Sequence, residues 1–130
     1  MALLFILLKK IDARRGVDQK GRANIPFDKN KSFEIAEIER HGMTALNCGR
    51  FHGYVLHEKD NALNGNAVAV YKGTSNLIGY LSRDIGESVV ARLNSEGGKA
   101  PCFIEILREF DNEARRWYLV GRVQIIWPDE

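Results

Sequence analysis

The stretch "GYVLHEKDNALNGNAVAVYKGTSNLIGYLSRD", residues 53–84, decides the fold class. It holds three short runs, "GYVLHE" (53–58), "NAVAVY" (66–71) and "NLIGYL" (76–81), rich in β-branched and aromatic residues and bounded by Gly, Asn, Asp or Ser. Branched and aromatic side chains suit a pleated, half-buried surface and the bounding residues suit turns, so the runs read as strands. The connector from Asp60 to Asn66 is polar and turn-forming. Gly and Asn tolerate a positive φ, and an Asn side chain bonds its own backbone. Gly65 and Asn66 therefore read as structural, while Asn61 is open to either a loop-shaping or a ligand-holding role.

Working outward, "SFEIAEIE" (32–39) reads as a further strand, and "CFIEILREF" pairs with "RRWYLVGRVQIIW" across the turn "DNEA". Trp117, Leu119, Val123, Ile125 and Trp127 alternate onto one face of that long hairpin. One segment has the helical period: in "SRDIGESVVARLNSEGG" the apolar Ile85, Val89 and Leu93 recur every fourth residue. Asp84 and Glu87 stand as N-cap and N3, Gly97 can terminate, and Gly86 weakens the turn it occupies. Short strands at close spacing with one inserted helix describe a mainly β fold. The expected architecture is a small OB-like or SH3-like barrel with one short helix after the central strands.

Residues 12–32, "DARRGVDQKGRANIPFDKNKS", are polar and without period, so residues 1–32 read as an apolar start plus a basic arm, and residues 33–130 as the barrel domain. The opening apolar run, Ala2 to Leu8, is far shorter than the roughly 20 residues of a membrane-spanning helix. Its basic residues follow the run, unlike those of a signal peptide. It reads as a buried strand or short helix, or as an anchor for a membrane or partner. Residues 1–31 hold eight Lys/Arg against three Asp/Glu, a net +5, whereas residues 32–130 hold eleven against fourteen, a net −3. A basic front on a near-neutral body suits an acidic partner such as nucleic acid. The two cysteines, Cys48 and Cys102, are too few for a disulfide scaffold, which favours a cytoplasmic setting.

Little in the chain suggests catalysis. There is no nucleophile elbow, phosphate-binding glycine loop or paired-histidine helix, and no cofactor is expected. Cys48, His52, His57 and His41 have ligand chemistry that zinc accepts, but their spacing matches no strong metal pattern. They read as surface histidines and a packed thiol, and a metal-dependent hydrolase stays a remote third reading. Aromatic and basic residues interleave in "NCGRFHGY" (47–54), "GYLSRD" (79–84) and "ARRWY" (114–118). Bases stack on aromatic faces while Arg and Lys meet phosphates, so such mixtures suit a single-strand binder. Phe51, Tyr80 and Trp117 are also what ordinary half-buried strands contain.

From Glu58 to Leu81 the chain resembles the HIRAN domain family. That family's core runs as an apolar strand, Glu-Pro-x-Asn-Pro-Tyr-Asp-x-Asn-Ala, a second apolar strand, then Gly-Tyr-Ile-Pro or a close variant. Glu58, Asn61, Asn66, Ala67, Val68 and Val70 match, and Gly79-Tyr80-Leu81 falls on the second signature. The resemblance covers about residues 33–97 and implies an OB-like barrel that binds single-stranded DNA and its 3′-hydroxyl end. It further implies an accessory role in DNA repair, replication or mobile-element defence. Here the family's Pro-x-Asn-Pro-Tyr-Asp reads Lys59-Asp60-Asn61-Ala62-Leu63-Asn64, so the stacking tyrosine and hydroxyl-binding aspartate fall on Leu63 and Asn64. Leucine has no π-face and asparagine lacks the charge, so selectivity for a 3′ end is expected to be weak or absent. Asn61, Tyr80 and Arg83 keep their chemistry, and Arg50-Phe51 and Arg40-His41 compete for the family's arginine–aromatic contact.

The expected function is thus a non-catalytic module for single-stranded DNA or DNA ends, acting through Asn61, Leu63, Asn64, Tyr80, Arg83, Arg50 and Phe51. The rival is a protein-interaction or membrane-associated module anchored by the basic-flanked apolar start. Oligomeric state is open, because a long hairpin leaves exposed edges.

Overall fold

The structure, a computed structural model, describes residues 25–129. Six strands close into an antiparallel barrel in the order β1-β4-β3-β2-β5-β6. They are β1 (Phe33–Ala36), β2 (Gly49–Glu58), β3 (Ala67–Lys72), β4 (Asn76–Leu81), β5 (Lys99–Asp111) and β6 (Arg116–Ile125), with one helix, α1 (Arg83–Ser95), between β4 and β5. The barrel with one helix after the central strands is the architecture expected from the sequence. The run 32–39 is a strand only as far as Ala36: Glu37 takes a left-handed φ of 64° and a 3-10 turn follows over Ile38–His41. Ile38 there is buried against the barrel, so its apolar side chain reflects packing and not strand alternation.

Alternation sets the two faces of the wall. Val55, Val70, Ile104 and Val123 point inward and are fully buried. Glycines stand where a side chain has no room: a Cβ on Gly53 would overlap the Tyr71 carbonyl oxygen, and one on Gly121 would overlap the Ile38 side chain. Closure depends on the short β1, which pairs Ile35 with Leu81 of β4 and Phe33 with Val123 of β6.

The helix plugs one end of the barrel with Val89 and Leu93, as their fourfold spacing implies. Its cap differs from expectation. Ser82, extended at φ −60° and ψ 160°, accepts the Ile85 N–H on its side chain and the Gly86 N–H on its carbonyl. Asp84 already lies inside the helix, where its carboxylate suits the positive end of the helix dipole. Gly86 is buried, and a Cβ on it would sit 2.9 Å from the Asn66 carbonyl oxygen. The glycine lets α1 approach the start of β3. At the other end Gly97, at φ 87°, and Gly98 close the helix by donating to the carbonyls of Asn94 and Leu93.

Residues 25–32, the described part of the expected arm, are bonded to the barrel wall. Ile25 is buried and its carbonyl accepts from Arg50 Nη1 at 3.2 Å. The Asp28 N–H donates to Gln124 Oε1 at 2.7 Å, and Arg122 donates to both the hydroxyl and the carbonyl of Ser32. The apolar start and the rest of the basic arm lie outside the described residues. No helix among the described residues is long and apolar enough to cross a membrane.

Candidate functional site

The loop between β2 and β3 is built from its own asparagines. Asn61 Oδ1 accepts the N–H groups of Leu63 (2.9 Å) and Asn64 (3.1 Å), while its Nδ2 donates to Glu58 Oε1 (3.0 Å). Asn64 Oδ1 accepts the Asn66 N–H at 2.9 Å. Both side chains therefore shape the turn, which is the loop-shaping role expected of Asn61. His57 ties the loop to the helix, with Nε2 2.7 Å from the Gly65 carbonyl and Nδ1 3.0 Å from Asn94 Oδ1. Arg83, from the first turn of α1, donates to the Leu63 carbonyl at 3.3 Å. Leu63 is left at the tip, 88% exposed.

Tyr80 stands on the outward face of β4, and its hydroxyl donates to Glu58 Oε1 at 3.1 Å. Burial, and then this bond to the carboxylate, push the hydroxyl above the ordinary tyrosine value. The His41 ring lies 6.1 Å from the Tyr80 ring. Of the two competing arginine–aromatic pairs, Arg40-His41 thus brings its histidine beside Tyr80, while Arg40 itself pairs with Glu37 at 3.6 Å. Arg50 and Phe51 sit near the far end of β2, eight and seven residues, or about 23–26 Å of strand, from Glu58. Arg50 pairs with Glu105 at 3.0 Å, and Phe51 faces inward with the Lys72 ammonium 4.1 Å from its ring. The sequence-expected set therefore divides. Asn61, Leu63, Asn64, Tyr80 and Arg83 gather at one rim, and Arg50 and Phe51 lie apart from them.

A second aromatic feature went unread in the sequence. Tyr54 and Tyr71 pair across β2 and β3 on the outward face, their rings parallel within 8° at 4.8 Å. Lys99 Nζ lies 4.2 Å from the Tyr54 ring, and Tyr54 Oη donates to the Thr74 carbonyl. Leu56 and Tyr80 share the same face, in register through Ala69. Tyr54 and Tyr71 each stand four residues from an end of the loop hairpin, Glu58 and Ala67, so the hairpin register was the available signal.

No family model, curated protein or solved structure matches this chain.

The three histidines and Cys48 do not converge. His41 neighbours Tyr80, His52 meets Phe103 edge-on at 5.6 Å, and His57 is engaged by the loop and helix. Among the described residues no group of three or more His, Cys, Asp or Glu is placed to hold a metal ion. The arrangement at the rim offers stacking surface, side-chain amides and flanking cations. A hollow of about 390 Å³, lined by His57, Glu58, Lys59, Asp60 and Asn61, opens beside it.

Proposed function

We propose that the outward face of β2, β3 and β4 binds single-stranded DNA, with the strand laid over Tyr54, Tyr71 and Tyr80 and its phosphates near Lys99, Arg83 and Arg40. One observation carries this reading: a row of aromatic side chains crosses the outer wall of a small barrel at its second and third strands, with cations beside it. Oligonucleotides bind OB-type barrels on that face, and aromatic platforms with basic borders hold single strands without reading sequence. The resemblance to HIRAN domains supports the same ligand and an accessory role in DNA repair or replication.

The loop contributes shape, with little left over for reading an end. Asn64 Oδ1, the acceptor that would meet a 3′-hydroxyl, already accepts the Asn66 N–H and, unlike an aspartate, carries no charge to strengthen a second bond. Leu63 supplies an apolar contact at the rim in place of a stacking ring. The site therefore binds the interior of a strand and is indifferent to how the strand ends.

Fluorescence anisotropy tests this with a strand ending in 3′-hydroxyl, the same strand ending in 3′-phosphate, and a blunt duplex, each at low and moderate salt. The expected result is stronger binding to both single strands than to duplex, equal affinity for the two ends, and weakening with salt. Tyr80→Ala or Tyr71→Ala lowers the affinity by about tenfold, the effect of losing one stacked base. Absence of binding to any strand at low salt overturns the reading. A hydroxyl-end preference that disappears in Asn64→Ala would make the loop an end-reader.

A further inference from the structure

Of the large apolar side chains left exposed among the described residues, Leu63 (88%) lies at the loop rim and Leu46 (93%) in the 3-10 turn before β2, whereas Trp117 (54%), Leu107 (46%) and Phe110 (42%) lie on the β5–β6 hairpin. That hairpin outruns the barrel. Pairing of β2 with β5 stops at Gly49 and Ile106, and pairing of β1 with β6 is confined to residues 121–123. Residues 107–111 and 116–120 therefore have only each other as strand partners among the described residues.

Alternation sorts the projecting side chains onto two faces. On one face, which also carries Leu107 and Val120, the polar groups answer one another: Tyr118 donates to Glu109 Oε1 at 3.1 Å, and Asp111 stands opposite Arg116 in the ladder. The other face continues the inward-pointing row of Ile104 and Ile106 past the end of the core, as Arg108, Phe110, Trp117 and Leu119. Phe110 meets Trp117 edge-on at 5.3 Å, and the Arg108 guanidinium lies 4.4 Å from the indole. Beside Trp117 is a groove of about 290 Å³, lined by Met43 and Leu119 with Glu39 and Arg108 among its other residues. That volume is at the bottom of the roughly 300–1,000 Å³ range of small-molecule sites and is enough to admit a side chain.

We propose that this face is the interface of a homodimer, in which each Trp117 enters the groove beside the Trp117 of the other copy. Charge selects a second copy as the occupant. The groove carries one acid, Glu39, and one cation, Arg108. A surface carrying both signs in equal number has no net attraction for a polyanion. Turned about a twofold axis it matches itself, with Arg108 of each copy facing Glu39 of the other. The backbone agrees: the Leu119 N–H points out of the hairpin to Glu39 Oε2 (2.9 Å), so by alternation the Trp117 N–H and carbonyl also point outward, at an open edge. Phe110 and Trp117, in contact and exposed beside the groove, are the kind of aromatic anchors on which protein interfaces centre.

Sedimentation velocity on the full chain, from micromolar to near-millimolar concentration, tests the proposal alongside tryptophan emission. Trp127 is buried, so a change in emission reports Trp117. The expected result is a concentration-dependent monomer–dimer equilibrium with a blue shift that follows dimer formation. Trp117→Glu, at an exposed position, keeps the urea midpoint and weakens association by about 30-fold or more, as loss of a central aromatic does. A monomer at every concentration overturns the proposal, as does a dimer that persists unchanged in Trp117→Glu or forms without any shift in emission. A shift that appears only on adding an oligonucleotide also overturns it and assigns Trp117 to the nucleic-acid surface.

Discussion

Glu58 joins sheet and loop through a single oxygen, since its Oε1 accepts from both Tyr80 Oη and Asn61 Nδ2. Tyr80→Phe keeps the ring and removes one of these bonds, so single-strand affinity is unchanged while stability falls by about 1 kcal/mol, read from urea denaturation. Tyr80→Ala loses the ring, and the affinity with it. The pair also sets a pH dependence. Burial and the bond to Glu58 raise the folded-state value above the ordinary 10.0, so this stabilisation is present below pH 10 and is lost as pH rises through the folded value. Tyr80→Phe should unfold less steeply with alkali than the parent chain, and equal alkaline slopes would refute the assignment. Cys102 is 1% exposed, and burial pushes its thiol up to about 12. A thiol reagent at mildly alkaline pH should therefore modify the half-buried Cys48 first and Cys102 only on unfolding. Equal rates in the native protein would contradict the burial of Cys102.

Among the elements, α1 has the most explicit punctuation. Ser82→Ala removes the cap on the Ile85 N–H and should cost about 1 kcal/mol, measured as a shift in urea midpoint. Gly86→Ala gives the opposite of what helix propensity implies. Alanine in an exposed helix gains about 1 kcal/mol over glycine. Here the added methyl would press on the Asn66 carbonyl, so the substitution destabilises and loosens the seat of the loop. The loop itself depends on Asn61: Asn61→Ala leaves the Leu63 and Asn64 N–H groups without their acceptor. That change should reduce stability and protection of those amides from hydrogen exchange, with little direct effect on strand affinity. The helix was legible because its fourfold apolar spacing is local. Its cap was misplaced because Asp84 and Ser82 have equally good capping chemistry, and only the path of the chain leaving β4 chooses between them.

For the whole molecule, closure is the long-range event. β1 and β6 are some 90 residues apart in sequence, and the bonds from Arg122 to Ser32 tie that seam from outside. A chain beginning at Phe33 would lose those bonds together with Asp28–Gln124 and Arg50–Ile25. It should unfold at a clearly lower urea concentration, since three such attachments at about 1 kcal/mol each are a large share of a small domain's stability. An unchanged midpoint would show that residues 25–32 merely lie on the surface. Two features were legible at this scale. Strand alternation implied an inward apolar face, and the close spacing of short strands implied a barrel.

The sequence by itself determined the helix, the tight polar loop and the strands, apart from the early end of the run 32–39; the grouping of Asn61, Leu63, Asn64, Tyr80 and Arg83 was an expectation from the resemblance to HIRAN domains. The helix, loop and strands depend on local periodicity and turn chemistry, which act over a few residues. Only the tertiary structure decided which surface each side chain serves. Arg50 and Phe51 are adjacent in sequence yet point to opposite sides of the wall, one onto Glu105 and one inward, so neither joins the loop. Trp117 has the alternation of a core residue, yet it stands 54% exposed because β5 and β6 continue after their neighbours have ended. Burial is a property of what lies across from a residue, and that is fixed by chain closure between segments far apart in the sequence.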